Sequence, residues 1–308
     1  MENGNNENLS RLFNPANREF VLTECFTIAS SRMKQQDTDE MKRCWDLTVS
    51  LFSGSFPLYN ACNTEYHDYN HTCDVFGTTI RLIDGALSQS PCIDSELQLD
   101  LCIAAMLHDS GYIQEKSDNS GTGAKYTKTH VSRSIVFTEQ NGEVFGLNEK
   151  RQKRIAHLIA ATDIGIHFDE LPFTDEQERF AGKMLASADL LGQMADRTYL
   201  EKLLFLYYEF KEAGFADYKT EFDMLKKTLV FYELTRDRLF HTLGNTTNLA
   251  LIHFTSRYGV EKNLYLESIE RQMDYLKTII ADNTANFRKK LKRIDLEAVS
   301  QSKNQVSA

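Results

Sequence analysis

Proline and long apolar runs are scarce in this chain of 308 residues. Only four prolines are present, and the stretches between them are rich in residues that favour helices. No apolar run approaches the ~18 residues that a membrane-spanning helix needs. We therefore predict an all-α, multi-helix chain without a membrane span.

An excess of basic residues is also missing. The formal net charge is −9 and the isoelectric point is near 5.5. This charge argues against general nucleic-acid binding, because such binding requires a basic surface. It does not exclude a phosphate ester as a small substrate, since a bound divalent metal can supply local positive charge.

Cysteine pairs of the C-x-x-C kind are absent. The six cysteines all lie in the first third of the chain, at positions 25, 44, 62, 73, 92 and 102. The N-terminal letters MENGNNENLS are polar and do not resemble a signal peptide. We expect reduced thiols that pack as small apolar side chains, and a cytoplasmic location.

Several common catalytic motifs are missing. The chain has no Gly-rich phosphate loop, no G-x-S-x-G and no alternating strand–helix pattern, which excludes the common nucleotide-binding folds. Residues 101–107 are apolar on every side and predict a fully buried helix. Thr174 and Gln177 stand at capping-box spacing and predict the start of another helix. Residues 263–294 predict one long amphipathic helix.

The domain organisation follows from composition. We predict a disordered N-terminus over residues 1–12, a single all-helical domain over 13–294 and a flexible tail over 295–308. Residues 117–127, rich in Ser, Gly and Asn, predict the clearest loop. The first 60 residues could pack on the core or on a second subunit, so a homodimer stays open.

Two of the eight histidines stand four residues apart in residues 65–76, EYHDYNHTCDVF. On a helix, His67 and His71 would share one face, which suits one metal ion, or one metal ligand beside one proton donor. A solvated polar face is the alternative. The apolar stripe of the same predicted helix, which includes Phe76 and Ile80, lies opposite the histidines. They therefore face either water or a cleft closed by other helices.

Two further polar sites interrupt apolar segments. His108 and Asp109 end the apolar stretch AAMLHDSGY, where burial costs several kcal/mol unless the two groups are paired or bound to a metal. Asp189 stands inside the apolar segment MLASADLL. A capped or exposed carboxylate is the alternative for Asp189.

Read in order, these residues form the pattern H…HD…D. The pattern resembles the HD superfamily of metal-dependent phosphohydrolases, which are all-helical, so the expected architecture is an HD/phosphodiesterase-like bundle. YHDYNH, LIAATDIGIHF and SADLLGQMADRTY are most similar to segments of class I cyclic-nucleotide phosphodiesterases. The resemblance covers roughly residues 60–210.

The resemblance implies a role for each matching residue. His67 matches the histidine that protonates the leaving oxygen. The ligands of the tighter metal match His71, His108, Asp109 and Asp189, and Asp109 would bridge to a second metal. Asp163 matches an acidic group near the second metal. His130 stands where other HD enzymes place a histidine for that metal, although a solvated residue at a helix start is the alternative.

Three departures from the phosphodiesterase pattern stand out. Asp68 replaces an asparagine, Tyr112 replaces a histidine, and residues 225–260 contain no match for the glutamine that clamps a purine. The second metal site and the purine contacts therefore differ from the family pattern.

The resemblance implies a metal-dependent phosphodiesterase, acting most simply on a 3′,5′-cyclic nucleotide. It implies two divalent ions: Zn, Fe or Mn at the tight site, and Mg or Mn at the second. The partner is then a small-molecule nucleotide. Two alternatives stay open, a nucleotide phosphomonoesterase of the same superfamily and a non-catalytic HD module that senses a nucleotide.

Overall fold

The computed structural model describes residues 8–12, 18–89, 93–282 and 287–294. Within these ranges the chain is an all-α multi-helix bundle without a β-strand, which confirms the predicted fold class. The helices, numbered in chain order, are α1 Leu9–Leu12, α2 Arg18–Ser30, α3 Gln35–Phe52, α4 Tyr69–Gln89, α5 Ser95–Leu107, α6 His130–Asn141, α7 Glu149–Ala160, α8 Glu176–Ala195, α9 Tyr199–Glu212, α10 Glu221–Asp237, α11 Asn248–Tyr258 and α12 Leu264–Ala281.

Helix α4 is the centre of the bundle. It packs against α2, α5, α8 and α11, and nearly every side chain from His71 to Ala86 is buried. Helix α5 is buried throughout from Leu97 to Leu107, which confirms the prediction for residues 101–107. A helix buried on all sides must be surrounded by other helices, so its polar residues face protein rather than water. No helix of the described ranges is long and apolar enough to cross a bilayer.

Two local predictions differ from the structure. Helix α8 is capped by Asp175, whose carboxylate accepts the backbone N–H of Glu178, so the capping box at Thr174 and Gln177 is wrong. Helix α12 ends at Ala281, where Asp282 takes an extended conformation, instead of continuing to residue 294. The letters DNTAN that follow favour turns over helix, because their side chains compete for backbone hydrogen bonds.

The chain ends are described only in part. Leu9–Leu12 form the short helix α1, with Leu9 and Leu12 packed against the core, whereas we expected disorder over residues 1–12. Two apolar side chains on one turn explain why this segment is held against α12. The predicted tail over 295–308 lies outside the described residues.

Candidate metal centre

His71 reaches the interior because α4 begins later than expected. The helix starts at Tyr69 rather than near Glu65, and Asp68 precedes it and accepts the backbone N–H of His71 at 2.9 Å. A carboxylate at this position satisfies a free N–H group and favours the helix dipole, which gives the departure at Asp68 a structural reason. His71 lies in the first turn and is 4% exposed.

His108 and Asp109 follow the end of buried α5. The Nδ1 of His108 donates to the carbonyl of Ala105 at 2.8 Å, which leaves its Nε2 available as a ligand. The next turn is docked on α6, because Gly111 donates its N–H to Ser134 Oγ and Ser134 Oγ donates to the carbonyl of His108. His108 and Asp109 are therefore buried and held in place.

Asp189 completes the cluster from α8, which packs against both α4 and α5. Its Oδ1 lies 3.2 Å from His71 Nε2 and 3.8 Å from His108 Nε2. Asp109 Oδ2 lies 3.3 Å from each of the same two nitrogens, which are themselves 3.3 Å apart. The structure thus brings all four sequence-predicted ligands of the tight site together.

This spacing fits a shared metal ion. Bonds of about 2.0–2.2 Å from a metal to nitrogen and oxygen place tetrahedral ligands about 3.3–3.6 Å apart. His71, His108 and Asp109 offer ligand atoms that all lie within 4.8 Å of one another. Asp109 Oδ2 is buried and forms no hydrogen bond within the described chain, which is costly unless a cation meets it. The residues present therefore suit a divalent ion.

The electrostatics of the cluster point the same way. Burial disfavours the imidazolium of His71, but the neighbouring carboxylates of Asp109 and Asp189 outweigh burial and raise the pKa of His71 to about 10. Burial likewise opposes ionisation of Asp109, yet the neighbouring charge of His108 holds the pKa of Asp109 well below its usual range. Two carboxylates kept ionised in a buried place attract a cation, which would displace protons as it binds.

His130 approaches the other oxygen of Asp109. Its Nε2 lies 3.8 Å from Asp109 Oδ1, and its Nδ1 donates to the carbonyl of Thr127 at 2.8 Å. Burial lowers the pKa of His130, which favours the neutral imidazole that a metal ligand requires. Gly111 permits this approach, because a Cβ there would lie 2.0 Å from the carbonyl oxygen of His130. His130 is thus a partly buried neighbour of the cluster rather than a solvated residue.

His67 is not on α4, although it still lies beside His71, with ring centroids 5.8 Å apart. Its Nδ1 donates to Glu209 Oε2 at 2.7 Å. Glu209 Oε1 accepts the backbone N–H groups of Glu65 and Tyr66, so this carboxylate fixes both the segment and the ring. Burial would raise the pKa of Glu209, but the charge of His67 and these hydrogen bonds hold it below its usual value.

Glu209 was missed in the sequence. It lies on α9 within the apolar letters LLFLYYEF, and its side chain is only 5% exposed. A single carboxylate within an apolar helix is the same signal that marked Asp189. Tyr66, the other neighbour that the sequence did not single out, donates its hydroxyl to Gln193 on α8 at 2.7 Å.

Tyr112 packs against two histidines. Its ring stacks on His67 with centroids 4.3 Å apart and on His130 with centroids 4.6 Å apart, while the two imidazole centroids lie 6.0 Å from each other. Its hydroxyl lies 3.4 Å from His67 Nε2. The tyrosine that replaces the family's histidine therefore supports both imidazoles but offers no nitrogen ligand of its own.

Asp163 is not brought into the cluster. In the described chain its carboxylate accepts the N–H of Gly165 at 2.8 Å, and its carbonyl accepts from Arg238 at 3.3 Å. His157 of α7 also lies outside the cluster: its Nδ1 donates to Glu178 at 2.7 Å and its side chain is 12% exposed. The apolar stripe of α7 does not reveal this contact, because Glu178 belongs to another helix.

A separate cavity of about 470 Å³ lies between α4, α8 and α12. Asp74, Arg81 and Tyr265 contribute to its lining, and none of the four cluster residues does. The convergence of ligand atoms, rather than the size of a cavity, therefore defines the candidate site.

Comparison with known proteins adds one finding. Residues 115–241 match the model of a family described as Npun_R2479-like. The matched region is less than half of the chain and includes His130, Asp189 and Glu209, but not His71, His108 and Asp109. No curated protein and no solved structure is significantly similar to the chain.

Proposed function

We propose that this chain is a metal-dependent phosphohydrolase of the HD type that hydrolyses a phosphodiester, most simply a 3′,5′-cyclic nucleotide. One observation carries the proposal: two imidazole nitrogens that lie 3.3 Å apart, on His71 and His108, are each 3.2–3.8 Å from one carboxylate oxygen of Asp109 and one of Asp189. Such a mixed nitrogen and oxygen set favours zinc, iron or manganese.

The roles of the residues follow from their positions. His71, His108, Asp109 and Asp189 would hold the tight ion, while Asp109 Oδ1 and His130 would face a second ion such as magnesium or manganese. When bound, divalent ions supply the positive charge that polarises a phosphoryl group and makes water acidic enough to attack it. Asp109 faces both positions with different oxygens, so it is the residue on which both depend.

His67 is placed to donate a proton. Its Nδ1 is occupied by Glu209, so its Nε2 is the atom left for the leaving oxygen. The side chain is 15% exposed, compared with 4% for His71, which agrees with a group that meets substrate. Glu209 accepts the Nδ1 hydrogen bond and holds the ring, and proton transfer by a positioned histidine contributes about 10²–10⁴-fold to the rate.

The proposal is tested by metal analysis together with a substrate panel. Purified protein is stripped with a chelator, reloaded with zinc, manganese or magnesium, and analysed for bound metal. It is then assayed on 3′,5′-cyclic nucleotides and on nucleoside 5′-monophosphates. We expect at least one tightly bound ion per chain and hydrolysis of the cyclic esters only after reloading. A chain that binds no metal and cleaves no ester contradicts the proposal.

The same panel separates the alternatives. A nucleotide phosphomonoesterase is favoured by the missing purine-clamping glutamine, and it would release phosphate from the 5′-monophosphates. A nucleotide-sensing module would bind metal and nucleotide without turnover in any metal. Four converging ligands beside a carboxylate-bound histidine favour the enzyme over the sensor.

A further inference from the structure

Arg238 lies between the end of α7 and helix α8. It is the first residue of a π-helical turn, Arg238–Thr242, that follows α10. Its Nη2 donates to the carbonyls of Ala161 and Asp163, at 3.1 and 3.3 Å. These bonds satisfy carbonyl groups at the C-terminal end of α7 and hold the guanidinium in one place.

Two contacts place this turn against the helix that carries Asp189. Ala161 meets α8 at Gly182, where an added Cβ would lie 3.5 Å from the Ala161 Cβ. After the π-helical turn, Thr246 forms a hydroxyl–hydroxyl bond of 2.6 Å with Ser187, two residues before Asp189. Burial lowers the pKa of Arg238, and the charges of Asp163 and Asp189 act against it. The contacts at Gly182 and Ser187 thus place Arg238 and its turn against the same helix that carries Asp189.

The positive charge of Arg238 has no close counter-charge. Among the described residues, no carboxylate oxygen lies within 4.0 Å of its guanidinium, and its Nε is buried without a hydrogen-bond partner. Arg151 and Arg257 show the usual arrangement, since each is paired with a buried aspartate at 2.6–2.7 Å. A buried donor on an uncompensated cation is costly unless an anion meets it.

We propose that Arg238 binds the negatively charged phosphoryl group of the substrate beside the metal centre. A guanidinium suits this task because its N–H groups form a planar fork that matches phosphate oxygens. The carbonyls use Nη2, so the guanidinium is already oriented, while Nε has no hydrogen-bond partner among the described residues. The inference rests on the proposed function and adds a residue that no part of the HD pattern supplies.

Inorganic phosphate is the probe for this site. Its binding to the metal-loaded full chain is measured by isothermal titration calorimetry for wild type, Arg238→Gln and Arg238→Lys. Arg236→Gln is the matched control, because Arg236 is 52% exposed and reaches Glu233 on its own helix. We expect the Kd for phosphate to rise about tenfold or more for Arg238→Gln, since a charged hydrogen bond is lost. Arg238→Lys should give a smaller rise, and Arg236→Gln should stay within twofold.

Two further measurements keep the outcome decisive. Metal content should be unchanged in every variant, and urea unfolding shows whether loss of the carbonyl bonds destabilises the chain. If Arg238→Gln does not fold, the Kd for phosphate of Arg238→Lys is compared with that of wild type instead. An unchanged Kd in the folded variant overturns the inference, as does a wild type that binds no phosphate. If cyclic esters are still hydrolysed in either of these two cases, the proposed function stands and only the role of Arg238 is wrong.

Discussion

Two buried clusters of histidine and aspartate lie on α4, and they are built in different ways. The first surrounds His71 in the first turn of the helix. The second surrounds Asp84, about three and a half turns later, and contains His253 of α11. Both pair a fully or nearly fully buried carboxylate with imidazole, so burial and residue type do not tell them apart.

Hydrogen-bond geometry does separate them. Asp84 accepts bonds of 2.7 Å from Arg32, His253 and Arg257, and both of its oxygens are satisfied. In the His71 cluster the corresponding separations are 3.2–3.8 Å, and Asp109 Oδ2 has no hydrogen-bond partner in the described chain. A cluster whose acceptors already meet donors is a structural clamp. A cluster whose ligand atoms are as far apart as two ligands of one metal ion is a candidate metal site.

The largest expected effect comes from removing the carboxylate that both metal positions share. Asp109→Asn should lose bound metal, and turnover should fall by about 10³-fold or more, because the ions supply several kcal/mol of transition-state stabilisation. Elemental analysis and initial rates measure both. If Asp109→Asn kept its full metal content and wild-type turnover, the His71 cluster would not be a metal site and would not differ in role from the Asp84 cluster.

Replacing the proton donor separates catalysis from metal binding. His67→Gln should keep its metal while kcat falls by about 10²–10⁴-fold, since only the proton donor is lost. His241→Gln is the matched control, because His241 is 78% exposed and distant from the motifs. Equal rates for the two variants would show that His67 has no part in the reaction.

Removing the Asp84 carboxylate from the structural clamp should lower the stability of the chain while its metal content is retained. Asp84→Asn leaves the charges of Arg32 and Arg257 without their carboxylate, and we expect the free energy of unfolding to fall by about 3 kcal/mol. This is the lower end of the range for a broken buried pair, because both arginines are partly exposed. Urea unfolding measures the loss, and metal content should be retained. A metal-free Asp84→Asn protein would contradict the assignment.

Glu209 tests whether orientation of His67 matters. Glu209→Gln keeps one hydrogen-bond acceptor but removes the second carboxylate oxygen, so it can no longer hold both His67 and the backbone N–H groups of Glu65 and Tyr66. We expect kcat to fall by about tenfold to a hundredfold, which is part of the total supplied by proton transfer, with metal content unchanged. Steady-state kinetics at fixed metal measure this. A variant that changes only KM would assign Glu209 to substrate binding instead.

The smallest effect is the pH dependence of the clamp. Burial opposes the charge of Asp84, but bonds from His253, Arg257 and Arg32 hold the pKa of Asp84 below its usual value. A depressed carboxyl pKa contributes stability above the unfolded value of about 3.9, and this contribution is lost as pH falls further. The stability difference between wild type and Asp84→Asn should therefore shrink below pH ~4, by up to about 1.4 kcal/mol per pH unit. Urea titrations at several pH values measure this stability difference. A difference that grows on acidification would contradict the prediction.

Much of the helical layout was predictable because it depends on sequence patterns within a few residues. Few prolines and the all-round apolar segment of α5 predicted helices and a buried centre, since both signals repeat within a few residues. The helix ends were harder. Asp175 caps α8 one residue after the predicted Thr174, α4 starts four residues after Glu65, and Asp282 ends α12 early.

The sequence by itself determined an all-helical chain, because the scarcity of proline and the apolar patterning are local signals, and the H…HD…D resemblance singled out His71, His108, Asp109 and Asp189 as candidate ligands. Tertiary structure alone decided which polar residues meet. It placed Glu209 on His67, Tyr112 against two imidazoles and Arg238 against the end of α7, and it paired the Asp163 carboxylate with the N–H of Gly165. The physical reason is that a contact between distant helices depends on how they pack, and helical periodicity records only which face is buried, not what lies opposite it.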